Sequence, residues 1–275
     1  MVAGINTKRL VDTGVIYVYC IGMKNISATA SIEFFHLLLL AFLGKKLAKT
    51  SYALKGGCNL RFFFASPRYS EDMDIDVQNV SVHSLQTIVG SILQSTPFRQ
   101  ALLVQGVEIE HVTEHKQSDT TQRWKLGLQV SGYERPVPTK VEFSRRGFSG
   151  DTLLEGVNPA LVQKYGLPPV MTPHYIAEAA LLQKINALAG RSITQARDIF
   201  DLHLLQSRER LQRVLPQVDA ASLEAARHNA LTLTFDHFKG QVLSYLQPED
   251  QALYDSPDAW ESIQLRVLEM LEVSL

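Results

Sequence analysis

A glycine pair followed closely by a run of alternating acids constrains this chain more than any other feature of its sequence. Gly56 and Gly57 follow a short apolar run at 52–54, and residues 73–77 alternate acidic with apolar side chains. Such alternation is typical of a strand with one polar face. A glycine pair between a strand and a helix lets backbone N–H groups approach a phosphate closely. The spacing therefore predicts a phosphate-binding turn followed by an acidic strand.

The acidic strand offers two carboxylates to a cation. Asp72 and Asp74 are two residues apart, so their side chains leave a strand on the same face, roughly 6 to 7 Å apart at the backbone. Hard oxygen ligands suit Mg²⁺ holding a triphosphate. Glu142 supplies a third carboxylate from the strand predicted at 138–143, either as a metal ligand or as the base for the nucleophile. Three carboxylates beside a glycine turn predict two-metal phosphoryl transfer.

The rest of the chain predicts an α+β fold with a helical C-terminal part. Helices are expected at 31–49, 59–65 and 82–93, and antiparallel strands at 102–112, 123–130 and 138–143. Beyond about residue 165 the sequence is almost wholly helical, with Pro173 opening one helix and Gly190 closing it. The expected domains are a sheet-containing domain at 31–165 and an all-helical domain at 166–275, and no role is assigned to 1–30.

Composition restricts where the chain acts and what it binds. Lys+Arg 27 against Asp+Glu 28 gives a net charge of -1, so no global field draws the chain to nucleic acid or to an anionic membrane. No basic stripe along the sequence is dense enough to indicate an RNA path, and any RNA-binding surface must be local. The apolar run at 34–43 is shorter than the roughly 20 residues of a spanning helix.

The N-terminal sequence and the cysteine content favour a cytoplasmic location. Asp12 and Gly14 precede the apolar run at 15–22, and no small-residue cleavage site follows it, so a signal peptide is not expected. Only Cys20 and Cys58 occur, which is too few for a disulfide framework and is compatible with a reducing compartment.

The acidic series could also begin a calcium loop. The EF-hand pattern requires glycine at its sixth position and glutamate at its twelfth, where this chain has Val77 and His83. We therefore set calcium binding aside and expect Asp76 to be a hydrogen-bonded strand end.

Residues 111–115 match the H-x-x-E-H pattern of one class of zinc proteases. That chemistry requires a helix, which brings both histidines to one face. Here the pattern follows alternating residues and precedes a polar loop, which is typical of a strand and turn, so zinc proteolysis is not expected.

Four segments in this order resemble the nucleotidyltransferase toxins of the AbiEii/AbiGii family. They are LKGG, RYSEDMDID, KVEF and QKINALAGRSITQARDIFDL, and the resemblance runs from about residue 35 to the C-terminus. The family consists of bacterial proteins of the DNA polymerase beta-type nucleotidyltransferase superfamily. The resemblance implies a mixed-sheet domain and a helical domain with the nucleotide bound between them. It also implies an NTP substrate and Mg²⁺, with Mn²⁺ possible.

The resemblance implies roles residue by residue. Asp72, Asp74 and Glu142 match the metal-binding acids, Lys184 matches a lysine that contacts the triphosphate, and Asp198 matches the aspartate that orients Lys184 or the substrate. These five are the expected catalytic residues. The expected nucleotide-binding residues are Lys55, Gly56, Gly57, Asn59, Ser70 and Lys184.

One position departs from the family pattern. The family most often has a hydroxyl residue after the glycines, whereas this chain has Cys58, followed by Asn59. A thiol is a poor donor to phosphate. Either Asn59 and backbone groups replace that contact, or nucleotide binding is altered.

The sequence allows two interpretations of several charged residues. Arg61 and Arg68 could bind phosphate or pair with Glu71. Asp198 and Asp201 share a helix face among apolar residues and need partners, for which the arginines at 191 and 197 are the nearest candidates. We expect Asp201 to be structural.

The leading functional prediction is a Mg²⁺-dependent transfer of a nucleoside monophosphate from an NTP to a macromolecular hydroxyl. By resemblance, the acceptor is the 3′ end of tRNA or a protein side chain, and the protein is a toxin with an antitoxin encoded beside it. Two alternatives stay open. One is a non-catalytic nucleotide-binding or interaction protein on the same fold, and the other is a standalone nucleotidyltransferase without an antitoxin.

Overall fold

The computed structural model of the chain describes residues 26–272, and most of the 1–30 segment lies outside the described residues. The helices and strands follow in chain order, and two short 3₁₀ turns, Leu215–Gln217 and Leu243–Tyr245, interrupt the last helices. They are α1 (Ala28–Lys46), β1 (Tyr52–Lys55), α2 (Gly56–Phe63), β2 (Asp72–Val77), α3 (Val82–Gln94), α4 (Thr96–Val104), β3 (Val107–Gln117), β4 (Thr121–Val130), β5 (Val137–Ser144), β6 (Thr152–Gly156), α5 (Pro159–Lys164), β7 (Met171–Tyr175), α6 (Ala177–Gly190), α7 (Ala196–Leu205), α8 (Arg208–Val214), α9 (Ala220–Leu231), α10 (Phe235–Gln241), α11 (Pro248–Tyr254) and α12 (Pro257–Glu272).

The seven strands form one mixed sheet in the order β3-β4-β5-β2-β1-β7-β6. The pairs β2–β5 and β1–β7 are parallel, and the other pairs are antiparallel. This confirms the predicted α+β class. The strand that follows the glycine turn therefore lies in the middle of the sheet, with β1 on one side and β5 on the other.

Helix α1 is the core helix of the sheet-containing part. The Ser27 side chain caps its first turn, and Lys45 and Lys46 lie in its last turn, where cations suit the helix dipole. By length and composition α1 is the one described helix that could cross a membrane. However, 67% of its most apolar stretch is buried within the protein, as expected of a core helix.

The buried apolar residues form two large clusters. One lies between the sheet and helices α1, α3 and α4 and contains Phe35, Trp124 and Phe143. The other joins the C-terminal helices and contains Phe200 and Trp260. Both tryptophans of the chain are core residues.

The strand predicted at 102–112 is wrong in its first part. Helix α4 continues to Val104, and Gly106, with φ +71°, turns the chain into β3. Pro97 lies in the first turn of α4, a position that proline favours. The H-x-x-E-H residues are on β3, as expected, and so lack the helix that zinc proteolysis requires.

The expectation that Pro173 opens a helix is also wrong. Pro173 lies inside β7, which pairs with β6 and β1, and α6 begins four residues later at Ala177. The sheet therefore extends beyond residue 165 by one strand, β7. Helix α6 ends at Gly190, as predicted.

Candidate active site

Charged side chains from five neighbouring strands lie side by side in register across the sheet. Lys55 of β1 pairs with Asp74 of β2, Asp74 with Glu142 of β5, Glu142 with Arg123 of β4, and Arg123 with Lys116 of β3. Residues directly opposite each other in a sheet lie on the same face with Cβ atoms about 5 Å apart. The sheet thus brings two carboxylates together between flanking cations.

A second row runs parallel to the first. Asp72 pairs with Lys140, and Lys140 with Lys125. Between these positions Met73, Val141 and Trp124 point to the opposite face and are buried. The alternation of strands β2, β4 and β5 therefore separates a core face from the charged face.

The glycine turn packs its backbone directly against the acidic strand. Gly56 has φ +68°, and a Cβ on it would lie 2.9 Å from Asp74 Oδ2. A Cβ on Gly57 would lie 2.6 Å from Ser70 Oγ and 3.1 Å from a guanidinium nitrogen of Arg68. At Gly56 both the positive φ and Asp74 disfavour a side chain, so the backbone of the turn approaches this carboxylate closely.

The charged face, the glycine turn and the helical part enclose a cavity of about 300 Å³, which we call the polar cavity. Its wall carries six cationic side chains against three carboxylates, which makes it a site for a polyanion. The lining residues are Gly56, Gly57, Arg68, Ser70, Asp72, Asp74, Arg123, Lys140, Glu142, Lys184, Arg191 and Arg197.

Asp74 is the unsatisfied carboxylate of this wall. Within residues 26–272 no hydrogen bond or ion pair reaches its side chain. Burial raises the pKa of Asp74, and the neighbouring Asp72 and Glu142 raise it further, while Lys140 and Lys55 oppose the shift. A cation or a proton at this position would relieve the unfavourable charge.

The two neighbouring carboxylates already have partners. Lys140 Nζ lies 2.9 Å from Asp72 Oδ2, and an Arg123 guanidinium nitrogen lies 2.6 Å from Glu142 Oε2. In the described part of the chain, no group of three metal-ligating side chains is closed around one point. An oxygen-only donor set with one unpaired carboxylate nevertheless fits a hard divalent cation.

A second group of charges is buried beside the polar cavity, between α6 and α7. Lys184 Nζ lies 2.6 Å from Asp201 Oδ2 and 3.0 Å from Asp198 Oδ1. Asp198 also accepts from Arg191 at 2.7 Å, and Asp201 accepts from Arg68 at 3.2 Å. We call these five residues the buried charge cluster after its two aspartates, which are fully buried, whereas the side chain of Arg191 is 37% exposed.

The buried charge cluster favours the ionised forms of Lys184 and Asp198. Burial alone lowers the pKa of Lys184, but Asp201 and Asp198 outweigh it, so the pKa lies above its ordinary value. Burial alone raises the pKa of Asp198, but Lys184 and Arg191 outweigh it, and the pKa is lowered. Lys184 is thus a fixed cation at the wall of the polar cavity.

The contacts of Arg61 and Arg68 exclude one of their two interpretations, the pairing with Glu71. Arg68 pairs with Asp201 rather than with Glu71. Arg61 donates to Glu33 at 2.5 Å and does not line the polar cavity. Arg197, expected as a partner of the aspartates, instead lines the cavity without an ion pair to any described residue.

Asn59, expected among the nucleotide-binding residues, does not line the polar cavity. Asn59 is fully buried, donates to the Tyr175 carbonyl at 2.9 Å and contacts His174 Nδ1 at 2.9 Å. Its amide thus ties α2 to β7, because α2 begins at Gly56 and its first turn turns position 59 into the core.

Cys58 also faces the core rather than the cavity. Its sulfur donates to the Asp72 carbonyl at 3.3 Å and lies 3.5 Å from His36 Nδ1. Burial lowers the pKa of His36 to about 3, so its ring is neutral, and His36 Nε2 lies 2.9 Å from Thr139 Oγ1. The thiol therefore supports the backbone of the acidic strand from beneath.

Asp76 is hydrogen-bonded, as the sequence predicted. It accepts from Lys55 Nζ at 2.5 Å and from the Tyr175 hydroxyl at 2.6 Å. Burial, together with this hydrogen bond to Asp76, raises the pKa of Tyr175 to about 12, so the phenol stays neutral. Lys55 and Ser70 lie near the glycine turn, where Ser70 lines the polar cavity and Lys55 an adjoining one.

Sequence reasoning missed four cations of the polar cavity as site residues: Arg123, Lys140, Arg191 and Arg197. A signal for Lys140 was present, because it is two residues before Glu142 and so shares its face. For Arg123 no signal existed, since its position depends on the register between β4 and β5.

The whole fold is similar to solved bacterial structures at low sequence identity. JHP933 from Helicobacter pylori shares 16% identity at a TM-score of 0.53, covering 91% of this chain and 96% of that one. MenT4, a nucleotidyltransferase toxin from Mycobacterium tuberculosis H37Rv, shares 18% identity at a TM-score of 0.52, covering 89% and 84%. A nucleotidyltransferase structure from H. pylori shares 17% identity at 0.52, covering 90% and 98%.

The sequence comparison identifies the family. No curated protein matches this chain significantly. Residues 37–271 match the family described as "Nucleotidyl transferase AbiEii toxin, Type IV TA system". That match spans the glycine turn, the acidic strand, Glu142 and the buried charge cluster. The chain belongs to the AbiEii nucleotidyl transferase toxin family, and with it to the nucleotidyltransferases.

Proposed function

We propose that this nucleotidyltransferase uses a divalent metal to transfer a nucleoside monophosphate from an NTP to a hydroxyl of RNA, as a toxin acting in the cytoplasm. One observation carries the proposal. The unpaired carboxylate of Asp74 lies in register with Glu142 and against the glycine turn, in the wall of a cavity otherwise dominated by cations.

The cations of the polar cavity would bind the triphosphate. Lys184 is held by Asp198 and Asp201, so its ammonium is already positioned before a ligand arrives. Arg197 has no ion pair among the described residues and can turn its guanidinium to a phosphate without breaking one. Ser70 and the backbone at Gly56 and Gly57 complete the wall beside the acids.

The carboxylates would hold the metal. Asp72 and Asp74 would bind Mg²⁺, or Mn²⁺, whose charge would neutralise the triphosphate and acidify the attacking hydroxyl, and Glu142 would assist as the base. Asp72 and Glu142 are paired with Lys140 and Arg123, which can pass to phosphate oxygens as the carboxylates turn to the cation and the hydroxyl.

The reaction balances with the groups at hand. The acceptor oxygen bonds to the α-phosphorus, the bond from that phosphorus to the bridging oxygen breaks, and pyrophosphate leaves. The hydroxyl proton passes to Glu142. Glu142 lies between Asp74 and strands β4 and β3, which is the side of the polar cavity where the acceptor would bind. Lys184 stabilises the charge on the departing pyrophosphate.

The acceptor is RNA because the charged face continues beyond the cavity as a basic surface. Lys125 and Lys116 are exposed, follow Lys140 and Arg123 across β4 and β3, and form no ion pair with any residue of the described chain. A polyanionic backbone is the partner that such a surface fits. It would place a terminal hydroxyl beside Glu142.

The proposal is tested by incubating the protein with Mg²⁺ and each labelled NTP, with total RNA or with cell protein. We expect label on RNA with at least one NTP and none with Asp72→Ala. Label on protein would refute the RNA acceptor but keep the transferase. If nucleotide binds while no label moves, the non-catalytic alternative replaces the proposal.

The acceptor surface has a matched charge test. Lys125→Glu and Lys116→Glu should raise the KM for RNA about tenfold each at low salt, with kcat nearly unchanged, because they alter binding and not chemistry. Lys239→Glu, on helix α10 outside the basic surface, is the control. Equal effects from the surface variants and the control would remove the assignment of this face.

The toxin role is tested in cells. Expression of the wild type should arrest growth, Asp72→Ala should not, and a gene encoded beside this one should relieve the arrest. Growth without arrest, together with transfer in vitro, would favour the standalone enzyme.

A further inference from the structure

A second cavity of about 240 Å³ adjoins the polar cavity and differs from it in chemistry. The two share Gly56, Asp74, Lys184 and Arg191, so one ligand can occupy both. Apart from these shared residues the second cavity carries no carboxylate and a single cation, Lys55, which is already paired with Asp76. It is therefore suited to the uncharged end of a ligand whose other end is a polyanion.

One face of helix α6 forms the wall of this second cavity. Ala180, Gln183, Lys184 and Ala187 are spaced i, i+3, i+4 and i+7, which places them on one helix face. The two alanines leave room beside the helix, and Leu60 of α2 supplies a further apolar surface. Small and apolar walls of this kind accept a flat ring.

Gln183 is the neutral polar side chain of α6 in this wall. Its Nε2 donates to Ser149 Oγ at 2.8 Å, and its Oε1 has no partner among the described residues. An amide with a free carbonyl oxygen and a second N–H can both accept from and donate to the edge of a heterocycle.

The loop that carries Ser149 is fixed from both sides. The backbone N–H of Ser149 donates to the Tyr175 hydroxyl at 2.8 Å, and that hydroxyl donates to Asp76 at 2.6 Å. Gly150, with φ +148°, lies so close to α6 that a Cβ would be 2.9 Å from the Ala179 side chain. The side chain of Gln183 is thus oriented by a hydrogen-bond chain that begins at the third aspartate of the acidic strand.

We infer that the second cavity binds the base of the nucleotide and that Gln183 reads its edge, so this residue decides which NTP is used. The inference rests on the proposed function, since it takes the triphosphate to occupy the polar cavity. Lys184, common to both cavities, lies at the junction between the two ends of the ligand.

The experiment measures the affinity of the four NTPs and of tripolyphosphate for the wild type, Gln183→Leu and Gln183→Glu. The leucine variant removes both hydrogen bonds at similar size, and the glutamate variant leaves only acceptors. We expect the preference for the best NTP over the others to fall about tenfold or more in the leucine variant and to change order in the glutamate variant. Tripolyphosphate affinity should stay the same in the leucine variant.

Two further variants make the outcome unambiguous. Ala187→Leu fills the cavity and should weaken every NTP relative to tripolyphosphate, whereas Asn186→Leu, on the exposed side of the same helix, should change nothing. If the NTP preference survives Gln183→Leu while transfer continues, the base assignment is overturned and the proposed function stands. If neither tripolyphosphate nor any NTP binds the wild type, the proposed function itself fails.

Discussion

Two groups of carboxylates adjoin the polar cavity, and they differ in how their charges are compensated. Asp198 and Asp201 are fully buried, and each accepts from two cations held at fixed positions. Asp74, by contrast, has no partner among the described residues although burial raises its pKa. The difference teaches that the protein's own cations compensate both aspartates of the first group, whereas in the second group Asp72 and Glu142 are paired and Asp74 alone is left without a counter-charge.

This contrast assigns different consequences to similar substitutions. A buried ion pair that loses one partner leaves the other charge uncompensated, which costs stability. Replacing an unpaired carboxylate removes an unfavourable charge from the folded state. Such a substitution should therefore reduce activity rather than stability. Four predictions test the contrast.

The largest effect is expected from Asp74→Asn. Transfer should fall about a thousandfold or more, because a neutral amide cannot replace the anionic ligand at the reacting phosphates. The free energy of unfolding at pH 7 should be unchanged or higher, since an unpaired carboxylate has been removed. Initial rates with the best NTP and urea unfolding measure the two quantities. A variant that is both inactive and destabilised would make Asp74 part of the fold rather than of the chemistry.

The reverse result is expected from Asp201→Ala. It leaves Arg68 and Lys184 short of a counter-charge, so the free energy of unfolding should fall by about 3–5 kcal/mol. Asp219→Ala removes an aspartate that caps α9 at the exposed surface and should cost much less. Denaturant unfolding of both variants gives the comparison, and equal losses would mean that the cluster carries no special stability.

The buried charge cluster also predicts a pH dependence. The pKa of Asp198 is lowered in the folded state, so its contribution is present above its ordinary value of 3.8 and is lost as the pH falls through the lowered value. The pKa of Lys184 is raised, so its contribution is present below 10.5 and is lost at higher pH. Asp198→Asn should be less stable at pH 7 and lose less on acidification, as unfolding at several pH values will show. If the free energy of unfolding fell equally for the wild type and for Asp198→Asn on acidification, the stabilising role of the Asp198 charge would be contradicted.

The smallest effect is expected from Cys58→Ser, which restores the hydroxyl that the family most often has. The side chain at this position faces the Asp72 carbonyl and His36, so a hydroxyl would replace one buried donor by another. Transfer should stay within about threefold, and stability should change by about 1 kcal/mol or less. A rate change above tenfold would show that residue 58 contacts the nucleotide after all.

Features set by local sequence were predictable. The acidic strand follows from the alternation at 73–77, and α6 was expected to end at Gly190, as it does. The carboxylates share one wall because Asp72 and Asp74 alternate with buried residues. Each of these inferences needs only the period of a strand or the preference of glycine for helix ends.

Features set by contacts between distant segments were not predictable. Arg123 reaches Glu142 only through the register of β4 and β5, and Arg68 meets Asp201 across 133 positions of the chain. Strand β7 escaped prediction because its proline suggested a helix start, while the pairing that makes it a strand comes from β6 and β1. The net charge of -1 likewise concealed two exposed lysines beside the charged face, Lys116 on β3 and Lys125 on β4.

The most direct test of the contrast is a Mn²⁺ titration in the presence of tripolyphosphate, in which electron paramagnetic resonance measures the bound metal. The wild type and Asp201→Asn, where the latter remains folded, should bind Mn²⁺, and Asp74→Asn should not. This result would show that a metal compensates the charge of Asp74, whereas the protein's own cations compensate the charges of Asp198 and Asp201. Equal Mn²⁺ binding by the wild type and Asp74→Asn would contradict it.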